Sequence, residues 1–339
     1  MAKQDSVSYD QILTDLRKKT YSPVYFLMGE EPYYIDQISD FIQHNILGDA
    51  EKEFDQTILY GKDVEMSTVI NAAKRYPMMG AYQVLIVKEA QLIKNWDDIV
   101  HYFKNPLKST ILVFCYKYGT PDKRKKWVLE MAKNAIVFES TKLRDYEIGS
   151  WISKYAKTKN VNIDEKAVAM LADFLGTDLS KLVNEMEKLI LTKPTNSQSI
   201  TPELIEKNIG ISKDFNVFEL QAALINRDIL KANRIVRYFS ENKKANPMVV
   251  VLSQLFKFFS DLMIFHYLPD KSQSVAASEL KVNPYFIKDY LKASQLFGAW
   301  KTMNIITYIR ETDARYKGID NPSTDEGELM KELIFKILH

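Results

Sequence analysis

The stretch PVYFLMGEEPYYID, Pro23–Asp36, decides the fold of this chain. It begins with a short apolar run that ends in a glycine, and such a run is typical of a buried strand. Pro32 suits the first turn of a helix, and apolar positions follow it at helical spacing. Those positions are Tyr34, Ile35, Ile38, Phe41 and Ile42. A buried strand followed by a helix is one unit of a parallel sheet covered on both faces.

The same alternation of strand and helix continues to about residue 140. Further strands are predicted at Phe54–Leu59, Val84–Val87, Ile111–Tyr116 and Ile136–Phe138. Helical patterns lie between them, as in Val64–Lys74 and Trp96–Phe103. We therefore predict a three-layer α/β domain with a mainly parallel sheet over residues 1–140.

The pattern changes near Ser140, and beyond this residue the sequence predicts helices and no strand. The first predicted helices are Tyr146–Tyr155, Glu165–Leu175, Leu179–Leu191 and Ile200–Ile209. They are followed by Phe218–Ile225, Asp228–Phe239, Pro247–Tyr267, Pro284–Leu296, Lys301–Tyr316 and Glu326–Leu338. We divide them into a small helical domain, residues 141–210, and a larger helical bundle, residues 211–339.

Composition excludes several classes of protein. A length of 339 residues favours two or three domains, and 46% hydrophobic residues are enough to build their cores. The formal net charge of +2 is too small to make the whole surface a nucleic-acid binder, although a local basic face is compatible with it. Cys115 is the single cysteine, which excludes a disulfide framework and a cysteine-based zinc site and fits a cytoplasmic protein.

The sequence gives no expectation of a membrane segment. The N-terminus, MAKQDSVSYDQIL, lacks the apolar core of a signal peptide. The long apolar stretch Val249–Leu268 carries Gln254, Lys257, Asp261 and His266. We therefore interpret it as a mostly buried helix of a soluble protein and not as a membrane span.

An α/β domain followed by a small helical domain suggests the layout of AAA+ ATPases, but the nucleotide site has to be tested separately. A phosphate-binding loop needs a second glycine and a lysine, which neutralise the phosphates. Here the loop Gly29–Tyr34 reads GEEPYY, with two carboxylates where phosphate would lie, and Pro32 lacks an N–H donor. The next candidate for a metal-binding acid holds Lys88 followed by Glu89. We expect no ATP hydrolysis by this chain.

No other pattern in the sequence indicates catalysis, a metal or a cofactor. The four histidines, His44, His101, His266 and His339, fit no spacing of a metal site or a catalytic triad. Cys115 lies in the apolar run ILVFCY and is predicted to be a core residue. The expected catalytic, cofactor-binding and metal-binding sets are therefore empty.

Five stretches of the chain, in order and spacing, resemble the delta subunits of the bacterial DNA polymerase III clamp loader. They are PVYFLMGEEPYYID (Pro23–Asp36), AAKRYPMMGAYQVLIVKEA (Ala72–Ala90), GTDLSKLVNEMEKLIL (Gly176–Leu191), FELQAALINRD (Phe218–Asp228) and ETDARYKG (Glu311–Gly318). The resemblance implies an AAA+-like α/β domain with an inactive nucleotide site, a helical lid and a helical collar. It also implies that the chain binds and opens the sliding clamp, or beta subunit, within a loader that contains ATPase and delta-prime subunits.

The resemblance places a hydrophobic wedge just before the strand at Val84–Val87, where this chain has Pro77, Met78 and Met79. From the residues alone, two methionines between a helix and a strand are most simply core filler. Pro77 breaks the helix and Gly80 follows at once, so the pair could also protrude on a turn. A leucine and a phenylalanine are more usual here in the family, which puts the affinity in question more than the site.

Basic residues give two candidate DNA contacts. The run Lys123–Trp127 is flanked by acids and is better explained as a solvated helix start. Family members contact primer–template DNA, and the resemblance together with the local residue types makes Tyr285, Lys288 and Lys317 the candidates in the helical bundle. Helix surface or packing is the competing interpretation for all three.

Two other functions remain alternatives. An active AAA+ ATPase, such as a helicase loader, would need the phosphate-binding lysine that the loop at Gly29 lacks. The ATP-binding and delta-prime subunits of the same loader usually carry a cysteine-based zinc module and a Ser-Arg-Cys motif, which a chain with one cysteine does not match.

Overall fold

The structure, a computed structural model, describes residues 7–194, 199–210, 212, 214–244, 246–320 and 323–339. The chain forms two compact units, residues 1–143 and residues 144–339. Residues 1–6 of the N-terminal segment, and residue 211 at the predicted start of the helical bundle, lie outside the described residues.

The first unit is built on a five-stranded parallel sheet with the strand order β2-β3-β4-β1-β5. The strands are β1 (Val24–Gly29), β2 (Gln56–Tyr60), β3 (Gln83–Lys88), β4 (Thr110–Lys117) and β5 (Ile136–Ser140). The helices are α1 (Tyr9–Arg17), α2 (Pro32–Asn45), α3 (Asp49–Asp55), α4 (Met66–Ala73), α5 (Val100–Lys104) and α6 (Lys126–Asn134). Short 3-10 turns lie at Ala90–Leu92 and Trp96–Ile99. The prediction of a mainly parallel sheet is confirmed.

Strand β1 is the centre of this unit. It pairs with β4 on one side and β5 on the other, and all six of its residues are buried. Its alternate side chains enter two separate hydrophobic clusters, with Phe26 on one face of the sheet and Leu27 on the other. Helix α2 supplies Ile35 and Ile38 to the cluster that contains Leu27. Burial on both faces explains why the strand is a continuous apolar run and does not alternate.

One predicted strand begins too early. Phe54 and Asp55 were expected at the start of a strand, but they form the end of helix α3, and β2 begins at Gln56. Helix α3 begins with acidic residues, which the helix dipole favours there, and the Glu51 carboxylate accepts a hydrogen bond from the Gly48 N–H at 2.7 Å. These interactions stabilise the helix, which continues through Phe54 although the apolar residues after it favour a strand.

The second unit is almost entirely helical, as predicted. Its helices are α7 (Asp145–Thr158), α8 (Glu165–Leu175), α9 (Leu179–Thr192), α10 (Pro202–Ile209), α11 (Val217–Ile225), α12 (Ile229–Glu241), α13 (Met248–Tyr267), α14 (Gln273–Leu280), α15 (Ile287–Leu296), α16 (Ala299–Tyr316) and α17 (Glu326–Leu338). The expectation of no strand beyond Ser140 is wrong, because β6 (Asn162–Ile163) and β7 (Ser199–Ile200) form a short parallel pair.

Helix α13 is long and apolar enough to cross a membrane by length and composition, and half of its apolar window is buried inside the protein. Its buried residues, including Leu255, Phe259 and Leu262, belong to the core of the second unit. The buried carboxylate of Asp261 accepts hydrogen bonds from Lys257 at 2.8 Å and from the Tyr290 hydroxyl at 3.3 Å. These contacts agree with a core helix of the bundle.

Gly29, the last residue of β1, has a backbone conformation and close packing that only glycine allows. Its φ is +132°, and a Cβ at this position would lie 2.0 Å from the Ser140 carbonyl oxygen. We expect Gly29→Ala to destabilise the protein by about 3 kcal/mol, from backbone strain and overpacking together. Gly119 is a matched control, because it exchanges backbone hydrogen bonds with Gly29 and has open space around its Cβ position. Urea unfolding followed by tryptophan fluorescence should leave Gly119→Ala close to wild type, and equal effects of the two substitutions would contradict this account.

Candidate functional site

The candidate site is the methionine turn, the segment Lys74–Tyr82 between helix α4 and strand β3. Met78 is 76% exposed and Met79 is 58% exposed, and Tyr76 beside them is 74% exposed. Pro77 is partly buried. The two methionines are therefore surface residues, and the interpretation of the pair as core filler does not hold.

The start of the methionine turn is fixed by buried side chains that bond to the last carbonyls of α4. Gln83 donates from its side-chain amide to the Ala72 carbonyl at 3.0 Å. The Thr110 hydroxyl and the Tyr102 hydroxyl donate to the Ala73 carbonyl at 3.0 Å and 3.3 Å. Burial raises the pKa of Tyr102 to about 12, so its hydroxyl stays protonated as a donor. Carbonyls at the end of a helix lack partners within the helix, and here strands β3 and β4 and helix α5 supply them.

The tip of the methionine turn is held by one side chain, the carboxylate of Asp55. Three successive backbone N–H groups donate to it, from Met78 at 2.5 Å, from Met79 at 2.8 Å and from Gly80 at 2.8 Å. Burial works against ionisation of Asp55, but the three N–H donors outweigh it and hold the pKa of this carboxyl below its ordinary value. The backbone of the turn thus faces inward while the methionine side chains face outward.

Asp55 is the residue that the sequence analysis missed. It lies 23 residues before Met78 in the chain, and an acid near the end of a helical segment carries no local sign of a distant partner. The pairing of β2 with β3 brings the two together, since Gln56 is paired with Val84.

The opposite edge of the sheet, where the strands end, is the edge at which ligands bind in open α/β sheets. Here the Glu31 carboxylate, 4% exposed, accepts a hydrogen bond from the Tyr33 N–H at 3.0 Å at the start of α2. The lysines at the ends of two strands also have acidic partners. Lys117 pairs with Asp36 of α2 at 2.7 Å, and Lys88 lies 3.7 Å from Asp40 of the same helix. The lysines at this edge are therefore paired with carboxylates of the chain itself.

In the run Lys123–Trp127, two of the cations have acidic partners and the aromatic ring is buried. Lys123 pairs with Glu139 at 2.8 Å, and the Arg124 guanidinium donates to both carboxylate oxygens of Asp122. Trp127 is 2% exposed and stacks on Trp96 with ring centroids 4.5 Å apart. The aromatic ring belongs to the core, and the interpretation of the run as a helix start agrees with α6 beginning at Lys126.

Of the three candidate DNA-binding residues, Tyr285 and Lys288 contact each other, and Lys317 is paired with a different residue. The Lys288 ammonium lies 3.8 Å from the centre of the Tyr285 ring, at the start of α15. Lys317 follows α16 and pairs with Asp313 at 2.6 Å. The cation on the face of Tyr285 occupies the surface that a base would stack on.

The described residues hold neither a reactive thiol nor a cluster of metal ligands. Cys115 is buried, and burial raises the pKa of its thiol to about 12, far from a reactive thiolate. No group of three or more His, Cys, Asp and Glu side chains in the described ranges could hold a metal ion. His266 bonds through Nε2 to the Phe297 carbonyl at 2.8 Å, a packing contact between α13 and the residue that follows α15.

Comparisons with protein families cover most of the chain. The family described as DNA polymerase III, delta subunit, matches residues 25–141. The C-terminal domain of the DNA polymerase III delta subunit matches residues 214–335. A third family, described as a middle domain, matches residues 144–207.

Two curated proteins and one solved structure are similar to this chain. The DNA polymerase III subunit delta of Bacillus subtilis (strain 168) is 24% identical over 314 residues, which are 89% of this chain and 90% of that protein. Protein STICHEL of Arabidopsis thaliana is 23% identical over 188 residues, which are 55% of this chain and 14% of that protein. The solved DNA clamp loader delta protein of Bacillus subtilis has a TM-score of 0.53 at 22% identity, with 98% of this chain and 99% of that chain covered. This structural likeness shows a shared fold.

Exposure of the methionine pair leads to a prediction about stability. We expect the double substitution Met78→Ala, Met79→Ala to change the free energy of unfolding by less than about 0.5 kcal/mol, because the turn is held by backbone groups that alanine also carries. Met66 of α4 is the matched control, since it is 1% exposed, and its replacement by alanine should cost about 2–5 kcal/mol. Urea unfolding measures both, and a loss in the double variant as large as that of Met66→Ala would return the pair to the core.

Proposed function

Because the chain belongs to the delta subunit family of DNA polymerase III, we propose that it binds and opens the sliding clamp within the clamp loader. The ATP-driven loader then places the clamp on primed DNA during replication. The partners are the clamp, the ATPase and delta-prime subunits of the loader, and primer–template DNA. The chain acts in the cytoplasm and contributes no catalysis to the polymerase holoenzyme.

The exposed methionine turn is the observation that carries this proposal. Pro77, Met78 and Met79 form the clamp-binding wedge, with two apolar side chains presented to solvent from an anchored backbone. Such side chains suit an apolar pocket on a partner. Burying a methionine side chain contributes about 1.5–3 kcal/mol. Ordering a flexible side chain costs about 0.5–1.5 kcal/mol, so the pair retains a net gain.

Clamp opening follows from differential binding. A wedge that enters a pocket beside the interface of the ring favours the open ring only by its greater affinity for that state. The work of opening is therefore done by the surface of this chain, while ATP on the partner subunits controls whether the wedge is accessible.

The degenerate nucleotide site is part of the same proposal. Glu31 occupies the helix start where a phosphate would lie, and Asp36 and Asp40 pair with the lysines of that edge. A triphosphate would have to displace these contacts and face several carboxylates. ATP binding and hydrolysis are left to the other loader subunits.

We also propose three functional domains. Residues 1–140 form the AAA+-like domain with the wedge, residues 141–210 form the helical lid, and residues 211–339 form the collar that joins the other subunits. The bounds of the matched families, 25–141, 144–207 and 214–335, support this division. Tyr285, Lys288 and Lys317 are proposed to contact primer–template DNA, supported by the exposure of the two lysines, whose ammonium groups suit phosphate.

The clamp-binding proposal is tested with the sliding clamp of the same organism by surface plasmon resonance. We expect the double substitution Met78→Ala, Met79→Ala to cost about 2 kcal/mol or more, roughly a 30-fold rise in Kd. Circular dichroism confirms that the variant is folded. Unchanged binding would move the contact away from the methionine turn, and no binding by the wild-type chain would remove the proposed function.

The nucleotide proposal has its own test. We expect no saturable binding of a fluorescent ATP analogue up to about 1 mM, the upper end of ordinary KM values, and no phosphate release above background. The loader's ATPase subunit under the same conditions serves as the positive control. Steady ATP turnover that purifies with this chain would favour an active AAA+ ATPase.

A further inference from the structure

We propose that Asp55 is a positioning residue for the wedge: its carboxylate fixes the methionine turn before any partner binds, so that Met78 and Met79 are presented in their binding arrangement. The role of the turn in binding the clamp rests on the proposed function. The hold of Asp55 on the turn does not, and the two are tested separately below.

The position of Asp55 is energetically unfavourable for an ionised carboxylate. It is the last residue of α3, where the helix dipole disfavours a negative charge, and it is only 2% exposed. No lysine or arginine in the described part of the chain forms an ion pair with it. A buried charge without a counter-ion is stable only when hydrogen bonds replace its water. The three N–H donors of Met78, Met79 and Gly80 are that replacement.

The direction of these bonds explains the exposure of the methionines. Successive N–H groups that converge on one anion form a concave backbone, with the anion on the inside. Because three consecutive N–H groups point inward to Asp55, the side chains of Met78 and Met79 are left on the solvent side, 76% and 58% exposed. The side chains of Met78 and Met79 make no contribution to these bonds, which join the Asp55 carboxylate to backbone N–H groups.

The sheet makes this hold rigid. Asp55 directly precedes β2, and the methionine turn directly precedes β3, its neighbour in the sheet. Gln56 is paired with Val84, so the register of the two strands sets Asp55 beside the turn. On the other side of the turn, Thr110 fixes the end of α4. The turn is thus attached at its start, its tip and its end.

A fixed turn changes the thermodynamics of binding. A segment that is ordered before association loses little conformational freedom when the partner binds, which raises affinity without adding a contact. Methionine has a flexible side chain, so a rigid backbone is the part of the wedge that can be ordered in advance.

The test is Asp55→Asn, which keeps the shape of the side chain. The amide retains one acceptor oxygen and turns an N–H₂ group toward backbone donors, so at least one of the three bonds is lost. We expect the Kd for the clamp to rise about tenfold, the effect of losing one hydrogen bond to a charged group. Hydrogen exchange of the Met78–Gly80 amides should accelerate by a similar factor. Asp49→Asn on the exposed start of α3 makes the same charge change and should alter neither measurement.

A double-mutant cycle separates positioning from a general loss of structure. In the background of Met78→Ala, Met79→Ala, the Asp55→Asn substitution should have no further effect on clamp affinity, while exchange of the turn amides still accelerates. Circular dichroism on every variant verifies the fold. A role in global stability alone would instead lower affinity by the same factor in both backgrounds.

Each outcome decides one of the two proposals. Unchanged exchange and affinity in Asp55→Asn would overturn the positioning role. Faster exchange with unchanged affinity, while the methionine double variant loses binding, would show that fixing the turn does not aid binding and would also overturn it. Faster exchange in a chain whose wild type binds no clamp would leave the hold of Asp55 on the turn supported and would remove the proposed function.

Discussion

Burial of the central parallel strands on both faces is the constraint on which the rest of the N-terminal unit depends. Strands such as β1 leave neither face to water, so helices cover both sides of the sheet. The loops that join strands and helices lie at the two edges where the strands begin or end. At the carboxyl edge, Asp36 and Asp40 of α2 are paired with Lys117 and Lys88. At the amino edge, the methionine turn projects into solvent. The two edges of one sheet thus differ: internal ion pairs lie at one edge, and exposed apolar side chains lie at the other.

The fold was predictable where a local pattern and the tertiary environment agree. Buried strands of a parallel sheet are continuous apolar runs, so β1, β3 and β4 were recognisable from the residues alone, and helix α8 has the bounds that its periodicity predicts. Prediction was wrong where two local signals compete, as at Phe54, which continues an acidic-capped helix although it adjoins an apolar run. It was wrong again for β6 and β7, whose pairing joins residues far apart in the chain.

The candidate site divides in the same way. Pro77 and Gly80 are local signals of a turn, and together with the family resemblance they place the methionine pair where the structure has it. Asp55 could not be found in this way, because its partners are backbone groups brought near by strand pairing. Trp127 shows the reverse case: a basic run beside an aromatic ring resembles a nucleic-acid site, but the ring lies on the inner face of α6 and stacks on Trp96.

The backbone of the methionine turn is held independently of the side chains that the turn exposes. Peptide N–H groups make the bonds to Asp55, and every residue except proline carries one. Positions 78 and 79 are therefore open to substitution by almost any side chain without altering the path of the backbone. Under the proposed function, replacing one apolar pair by another at these positions changes the surface that the clamp contacts and leaves the backbone that presents it unchanged. Under the proposed function, the clamp and positions 78 and 79 can therefore change together, one side chain at a time, while the backbone that presents them stays the same.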